Sequence, residues 1–387
     1  MSGYEFSYQP PRKLLRVLFA LTGIGALSWF AGLALAPERA WGSLLMVSFW
    51  LLSMGLAGGL FVGLQYVCGA GWAVSFRRVP EAMIAATPVG AAGLLAVFLF
   101  HPELYPWIAH HGEASGFHAF WLSRPFFLLR VVIYFVLWFG FSWYLVRNSR
   151  RQDEEGGLVY RRRNILASAI YMYVFALSYW LASVDWIMSL EPEWTSTIFG
   201  IYHYSGMFVA GVAAIILLIL WLKPRSPLGD FVNQEHLHDL GKLLFAFSTF
   251  WMYIFFSQYM LIWYANMTEE SMYYILRQQG VLGVLFLINI GLNWGVPFLI
   301  LLSSAAKRTP AVLASMAILV LLGRWLDLYL MVLPPATHGK VTLPWMEFGM
   351  MLGAMALFVL TFLAWFRRVP QVPVQDPLLA QSLSYHN

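Results

Sequence analysis

RRRNILASAIYMYVFALSYWLASVDW, residues 161–186, decides the fold class. Three arginines are followed by a run from Asn164 that carries no charge until Asp185. A helix that crosses a bilayer needs about 20 mainly apolar residues, and 164–186 supplies them. At the helical rise, Asp185 lies about 33 Å along the axis from Arg163. The segment therefore has a basic foot, an apolar shaft and an acidic group at its far rim.

Nine further segments meet the same criterion. The expected spans are 14–36, 41–67, 80–100, 125–146, 164–186, 196–222, 241–265, 279–303, 310–333 and 343–366. Of 387 residues, 60% are hydrophobic and 11% charged, against roughly 25% charged in a soluble domain. That much apolar surface needs lipid as its solvent. The many Trp and Tyr near the span ends suit the interfacial belts.

The basic residues give an orientation. One side holds Arg12, Lys13, Arg16, Arg77, Arg78, Arg147, Arg150, Arg151, Arg161, Arg162, Arg163, Lys223, Arg225, Lys242, Lys307, Arg308, Arg367 and Arg368, 18 of the 24 Lys and Arg. The other side holds four: Arg39, Arg124, Arg277 and Lys340. The positive-inside rule makes the first side cytoplasmic, and ten spans place both termini there. Losing or adding one span would scramble the asymmetry. The net charge of +5 has this cause, and no basic stripe with interleaved aromatics suggests nucleic acid.

The first apolar run is longer than a signal-peptide core and is expected to stay as a span. The connections are short. The longest outer loop, His101 to Arg124, is rich in His and aromatics, the inner loop 148–163 is highly charged, and 367–387 is expected to be a polar cytoplasmic tail. The single cysteine, Cys68, excludes an internal disulfide and a Cys-ligated cluster and is expected as a small core residue.

Charge inside a span is costly and usually faces protein or water. His203 lies about 30 Å from Lys223 and Arg130 about 25 Å from Arg147. Arg324 and Asp327 lie about 24 and 28 Å from Arg308, and Glu347 about 30 Å from Arg367. Asp185, His203, Arg324, Asp327, Arg130 and Glu347 thus form a band in the outer third. Asp185 and His203 are placed to face one another across the short link 187–194. Arg324 and Asp327, three apart, share a helix face. The inner half has Glu81 at its rim and weaker groups: Gln65, Tyr66, Ser168, Tyr171, Thr249 and Ser303. Quinol oxidation releases two protons, for which a neutral His and a carboxylate are suitable acceptors. The alternative role for the band is a set of helix-pinning ion pairs. Pro88 and Pro297 fall near the midplane, as kinks filled by neighbouring helices or as the broken helices of a transporter.

With His203 as the only His in an expected span, a bis-His haem is not expected. No Walker A or dinucleotide-binding glycine motif is present. His101, His110, His111 and His118 read as a solvated loop rather than a metal site.

The stretch SVDWIMSLEPEWTSTIFGIY, residues 183–202, resembles the ActF-type membrane subunit of alternative complex III, a bacterial quinol:cytochrome c (or other acceptor) oxidoreductase. Arg161–Asn164 and RNSRRQD, 147–153, resemble the same subunit. The similarity runs from the second span through the ninth. That family belongs to the polysulfide-reductase-type, NrfD-like membrane subunits. The resemblance implies one polytopic all-α membrane domain in a bacterial inner membrane. Its core would be two four-helix bundles, spans 2–5 (41–186) and 6–9 (196–333), flanked by spans 1 and 10. It implies three partners: a sister NrfD-like subunit, an iron–sulfur and molybdopterin-enzyme-like peripheral subunit, and c-type cytochrome subunits. Haem c and iron–sulfur clusters would then sit in the partners, with none bound by this chain; the principal quinol site is usually placed in the sister subunit, and the ActF-type subunit is assigned scaffolding and a proton route, with quinol or quinone as a candidate ligand. Outward proton release or structural support fits the sequence better than full pumping, because the inner half offers few ionisable groups. A secondary transporter and a pure assembly subunit are the alternative classes.

Overall fold

A computed structural model describes residues 8–109, 116–337 and 344–385, the side chains of Ala109 and His118 excepted. Among the described residues there is no strand, and ten helices are long and apolar enough to cross a membrane. They are α1 (Arg12–Leu35), α2 (Pro37–Val67), α3 (Arg78–Phe100), α4 (Arg124–Glu155), α5 (Val159–Leu190), α6 (Phe199–Leu222), α7 (Gln234–Ala265), α8 (Gly280–Leu301), α9 (Pro310–Ala336) and α10 (Trp345–Phe366). The chain is an all-α integral membrane protein.

The helices sort into a core and a shell. The most apolar window is wholly buried in α2, 83% buried in α6 and 78% buried in α9, but only 17% in α1 and 22% in α8. Small residues explain why α2 is central: Gly42, Ser43, Ser48, Ser53, Gly55, Ala57, Gly58, Gly59 and Gly63 let neighbours approach closely. Around it α3, α5, α6 and α9 pack directly; α4 pairs with α5, and α7 with α6. Outward-facing Leu, Ile, Val and Phe of α1, α4, α5, α7 and α8 stay exposed as a lipid-facing surface.

α1 packs chiefly on α10. The crossing is tight: a Cβ added at Gly353 would stand 2.6 Å from the Gly25 Cα. Gly353→Leu is therefore expected to push the two helices apart and cost about 1–3 kcal/mol. A thermal melt of the detergent-purified protein checks this, and an unchanged melting temperature would remove the close crossing.

Both midplane prolines interrupt their helices without breaking them. Pro88 has no N–H for the Ile84 carbonyl, and α3 tightens into a 3₁₀ turn at Ile84–Ala86. In α8, Pro297 follows a π turn over Gly291–Gly295.

Three expectations change. The charged stretch after residue 146 is no loop: α4 runs on to Glu155, since Asn148, Ser149 and Gln152 are buried against neighbours. The chain then reverses at Gly156 and Gly157, whose φ of 71° and 80° suit glycine. The tail is not loose polar chain either: Gln371, Val372, Asp376 and Ser382 are buried, and a short helix, α11 (Leu379–Leu383), closes it. Cys68, expected in the core, is exposed where α2 ends.

Candidate functional site

The band of internal charge is present, divided into three groups at the end of the bundle opposite the basic residues. Each is held by helices that meet there. The first joins α4 to α5. The Arg130 guanidinium grips Asp185 with two hydrogen bonds of 2.8 Å, and Tyr134 donates to the same carboxylate at 2.8 Å. Trp121, at the end of a short helix (Gly116–Trp121) before α4, adds an indole N–H at 3.2 Å and lies 4.2 Å from the guanidinium as a cation–π partner.

The second joins α6, α8 and α9. Arg324 donates to Asp327 at 2.6 Å and to His203 Nδ1 at 3.3 Å. Asp327 also accepts from the Tyr202 hydroxyl and from Asn289 Nδ2, the latter at 3.0 Å. A guanidinium has only donors, so His203 Nδ1 carries a lone pair. Its Nε2–H then faces the Met331 sulfur at 3.0 Å. Asn293, inside the π turn of α8, donates to Asn289 Oδ1 at 2.7 Å and so orients the amide that reaches Asp327. The third joins α2 to α10: Arg39 donates twice to Glu347, at 2.6 and 2.7 Å, with the Ser43 hydroxyl at 3.3 Å.

Arg324 and Asp327 pair as their spacing predicts. Asp185 and His203 do not face each other. Asp185 belongs to Arg130, while the ring of His203 is enclosed by Phe49, Phe199 and Arg324. Helices α5 and α6 do pack against each other, but these two side chains turn to different neighbours. Link 187–194 passes through a 3₁₀ turn, Met188–Leu190, and buries Trp194 against Tyr273, ring on ring at 3.9 Å.

A further arginine was counted only as a loop charge. Arg277 is buried, and its Nε donates to the Leu330 carbonyl at 2.7 Å, with Nη2 reaching the Met331 carbonyl at 3.4 Å. Pro334 and Pro335 lack the N–H groups that those two carbonyls would receive in a helix. Arg277 supplies the missing donors. It also donates to Glu191 at 2.5 Å, and Glu191 is 23% exposed. The readable signal was the Pro-Pro pair directly after the expected span 310–333, which the helix runs on to include.

Between these groups lies a cavity of about 20 Å³ lined by Asp327, Asn289, Tyr202, Gln258, Tyr274 and Arg277 among others. That is room for about one water molecule, with polar partners on several sides. Burial pushes the Tyr273 and Tyr274 phenols above the usual tyrosine range, so both stay protonated donors at neutral pH. Beyond Phe255 and Phe286, which also wall this cavity, a lipid-facing groove of about 550 Å³ runs between α7 and α8.

At the basic end Glu81 is fully buried rather than at a rim. It accepts from Arg78 and from Ser149 at 2.6 Å, and Arg78 also bonds Asp153. Arg77 reaches Asp376 of the tail at 2.7 Å. Gln65, Tyr66, Ser168 and Tyr171 are buried; Thr249 is half-buried and Ser303 exposed. No group of three or more His, Cys, Asp or Glu that could hold a metal occurs among the described residues. His101 stacks on Trp41 at 5.4 Å, whereas the side chains of His110, His111 and His118 lie outside the described residues.

Two of the three stretches that carry the family resemblance, 147–153 and 161–164, meet at the basic end, and the third, 183–202, lies at the opposite end of the bundle. Asn148 donates to Asn164 at 3.0 Å, and residues 185–203 join the first ion-pair group to the second. No family model and no curated protein matches this chain.

Proposed function

We propose that this chain is an integral membrane subunit of a respiratory quinol:electron-acceptor oxidoreductase, with both termini in the cytoplasm of a bacterial inner membrane. Its own contribution is to accept quinol protons and release them on the outer side. The partners are a sister NrfD-like subunit, an iron–sulfur and molybdopterin-enzyme-like peripheral subunit and c-type cytochrome subunits. The observation that carries this reading is the groove between α7 and α8, one aromatic layer from a buried carboxylate. The groove is apolar and open to lipid, as a hydrophobic quinol requires, and Phe255 and Phe286 separate it from Asp327.

Oxidation of quinol to quinone releases two electrons and two protons, and the protons pass through Asp327 one after the other. The electrons would go to the haem c and iron–sulfur centres of the partners. Asp327 is the carboxylate that faces the small cavity, and Glu191 is the exposed end of the chain of groups beyond it. A proton passed from Asp327 to a cavity water and on toward Glu191 emerges opposite the basic end, with the Arg277 guanidinium holding Glu191 in place and relaying nothing itself. The 18-to-4 division of Lys and Arg supports reading that side as the outer one.

The test is Asp327→Asn in the assembled complex. Quinol oxidation and outward acidification by proteoliposomes are expected to fall together, by about a hundredfold, with Asp327 as the proton acceptor behind the Phe255–Phe286 layer rather than a base in contact with quinol. Normal turnover per intact complex would end this reading. A purely structural role is favoured by one feature: all six predicted internal ionisable groups have partners. That role predicts a lower melting temperature with unchanged turnover. Recovery of the chain from mild detergent without haem- or iron–sulfur-bearing partners would remove the respiratory assignment itself.

A further inference from the structure

A second cavity lies at the basic end, remote from the ion-pair groups. It measures about 560 Å³ and opens between α3, α4 and α10. One part is apolar, walled by Ile84, Pro88, Phe139 and Val146. The 3₁₀ turn that Pro88 imposes on α3 shapes that wall. Its other part is basic. Arg147, Arg150 and Arg151 project from successive turns of one face of α4, as residues three and four apart do.

Among the described residues none of these three arginines is in an ion pair. Arg147 lies 4.8 Å from the Trp143 ring and Arg150 4.6 Å from the Trp365 ring. Such contacts fix a guanidinium without neutralising it. Arg150 Nε is buried with no hydrogen-bond partner, a polar group left for something else to satisfy. Two carboxylates also line the cavity. Glu81 is held by Arg77 and Arg78, which also serve Asp376 and Asp153, and with Glu154 at the rim the three arginines still leave the group net positive.

We propose that this cavity binds an anionic phospholipid, its phosphate among Arg147, Arg150 and Arg151 and an acyl chain along Ile84, Pro88 and Phe139. The volume falls in the range of small-molecule sites. Basic pockets between helices on the cytoplasmic side suit acidic headgroups, and the flanking tryptophans sit at the level where indoles meet the interface. An apolar slot joined to a cationic mouth matches a molecule with both parts. It fits neither free phosphate, which would leave the slot unfilled, nor a quinone, which has no use for three cations. The site is independent of the proposed proton route.

The test uses the full chain, delipidated in mild detergent and titrated with phosphatidylglycerol or phosphatidylcholine under native mass spectrometry. Phosphatidylglycerol is expected to bind and to raise the melting temperature. Replacing all three arginines with alanine should weaken it about a hundredfold, about fivefold for each cation near the surface. Alanine at Arg161, Arg162 and Arg163, also basic but outside the cavity, should leave binding unchanged. A photoreactive phosphatidylglycerol bound to the unmodified protein should label peptides bearing Phe139, Trp143 or Trp365, so the result does not depend on the variant folding. Equal binding of phosphatidylcholine, labelling elsewhere, full competition by glycerol phosphate, or displacement by a quinone analogue would each overturn the proposal.

Discussion

Arg277→Ala is expected to lower the melting temperature of the purified protein by roughly 10 °C. The reason is the number of groups that one side chain satisfies. The Leu330 and Met331 carbonyls face Pro334 and Pro335, which cannot donate, and Glu191 faces the guanidinium. A buried acceptor left without a donor costs about 1–3 kcal/mol, so the loss of both plus the ion pair reaches about 3–5 kcal/mol. Arg277→Lys should recover little. An ammonium is a point charge that cannot span two carbonyls and a carboxylate as a planar fork does. The guanidinium also stacks on Tyr273 at 3.5 Å. The informative comparison is a double change, Pro334→Ala with Pro335→Ala, which restores backbone donors. If Arg277→Ala is as damaging in that background as in the parent, the capping account fails.

The ten spans were legible because lipid imposes a coarse and local requirement: length, apolarity and basic feet. Residues 164–186 declare all three, and every expected span overlaps an observed helix. The ends were less legible. Past Arg147 the sequence turns polar, yet helix continues, because Asn148, Ser149 and Gln152 are held by tertiary contacts that no local window contains. The tail misled for a related reason. Asp376 and Ser382 are polar, but they are buried against Arg77 and Ser75 from far along the chain.

The candidate site divides the same way. Depth along a helix follows from counting residues, so the band of Asp185, His203, Arg324, Asp327, Arg130 and Glu347 could be placed at one end. Partnership across helices does not follow from depth. Arg324 and Asp327 share one helix and their pairing was readable. Asp185 and His203 lie on successive helices at one level, but rotation about each axis decides which neighbour a side chain meets. Arg130 of α4 takes Asp185, and Arg324 of α9 takes His203. Tyr202 and Asn289 were missed because an uncharged polar residue in a span carries little signal until its partner is known.

The largest effect on the first ion-pair group is expected from separating its charges. Arg130→Ala leaves Asp185 buried with only the Tyr134 and Trp121 donors, and should cost about 3–5 kcal/mol. Asp185→Ala strands a buried guanidinium and should cost a similar amount. The double variant should cost much less than the sum, because coupled neighbours are not additive. A second double variant, Arg130→Met with Asp185→Leu, fills the space with apolar side chains. Buried ion pairs replaced in this way are often neutral or more stable, so melting should return close to the parent value. That variant separates the two roles left open for the band. A group that only pins α4 to α5 can be replaced by packing, and quinol oxidation by the complex would then be normal. A group that supplies charge or proton affinity cannot, and the complex would assemble, melt normally and still turn over slowly. An additive cycle, with the double variant as damaging as both singles together, would mean that the 2.8 Å contacts between Arg130 and Asp185 contribute nothing to holding the two helices.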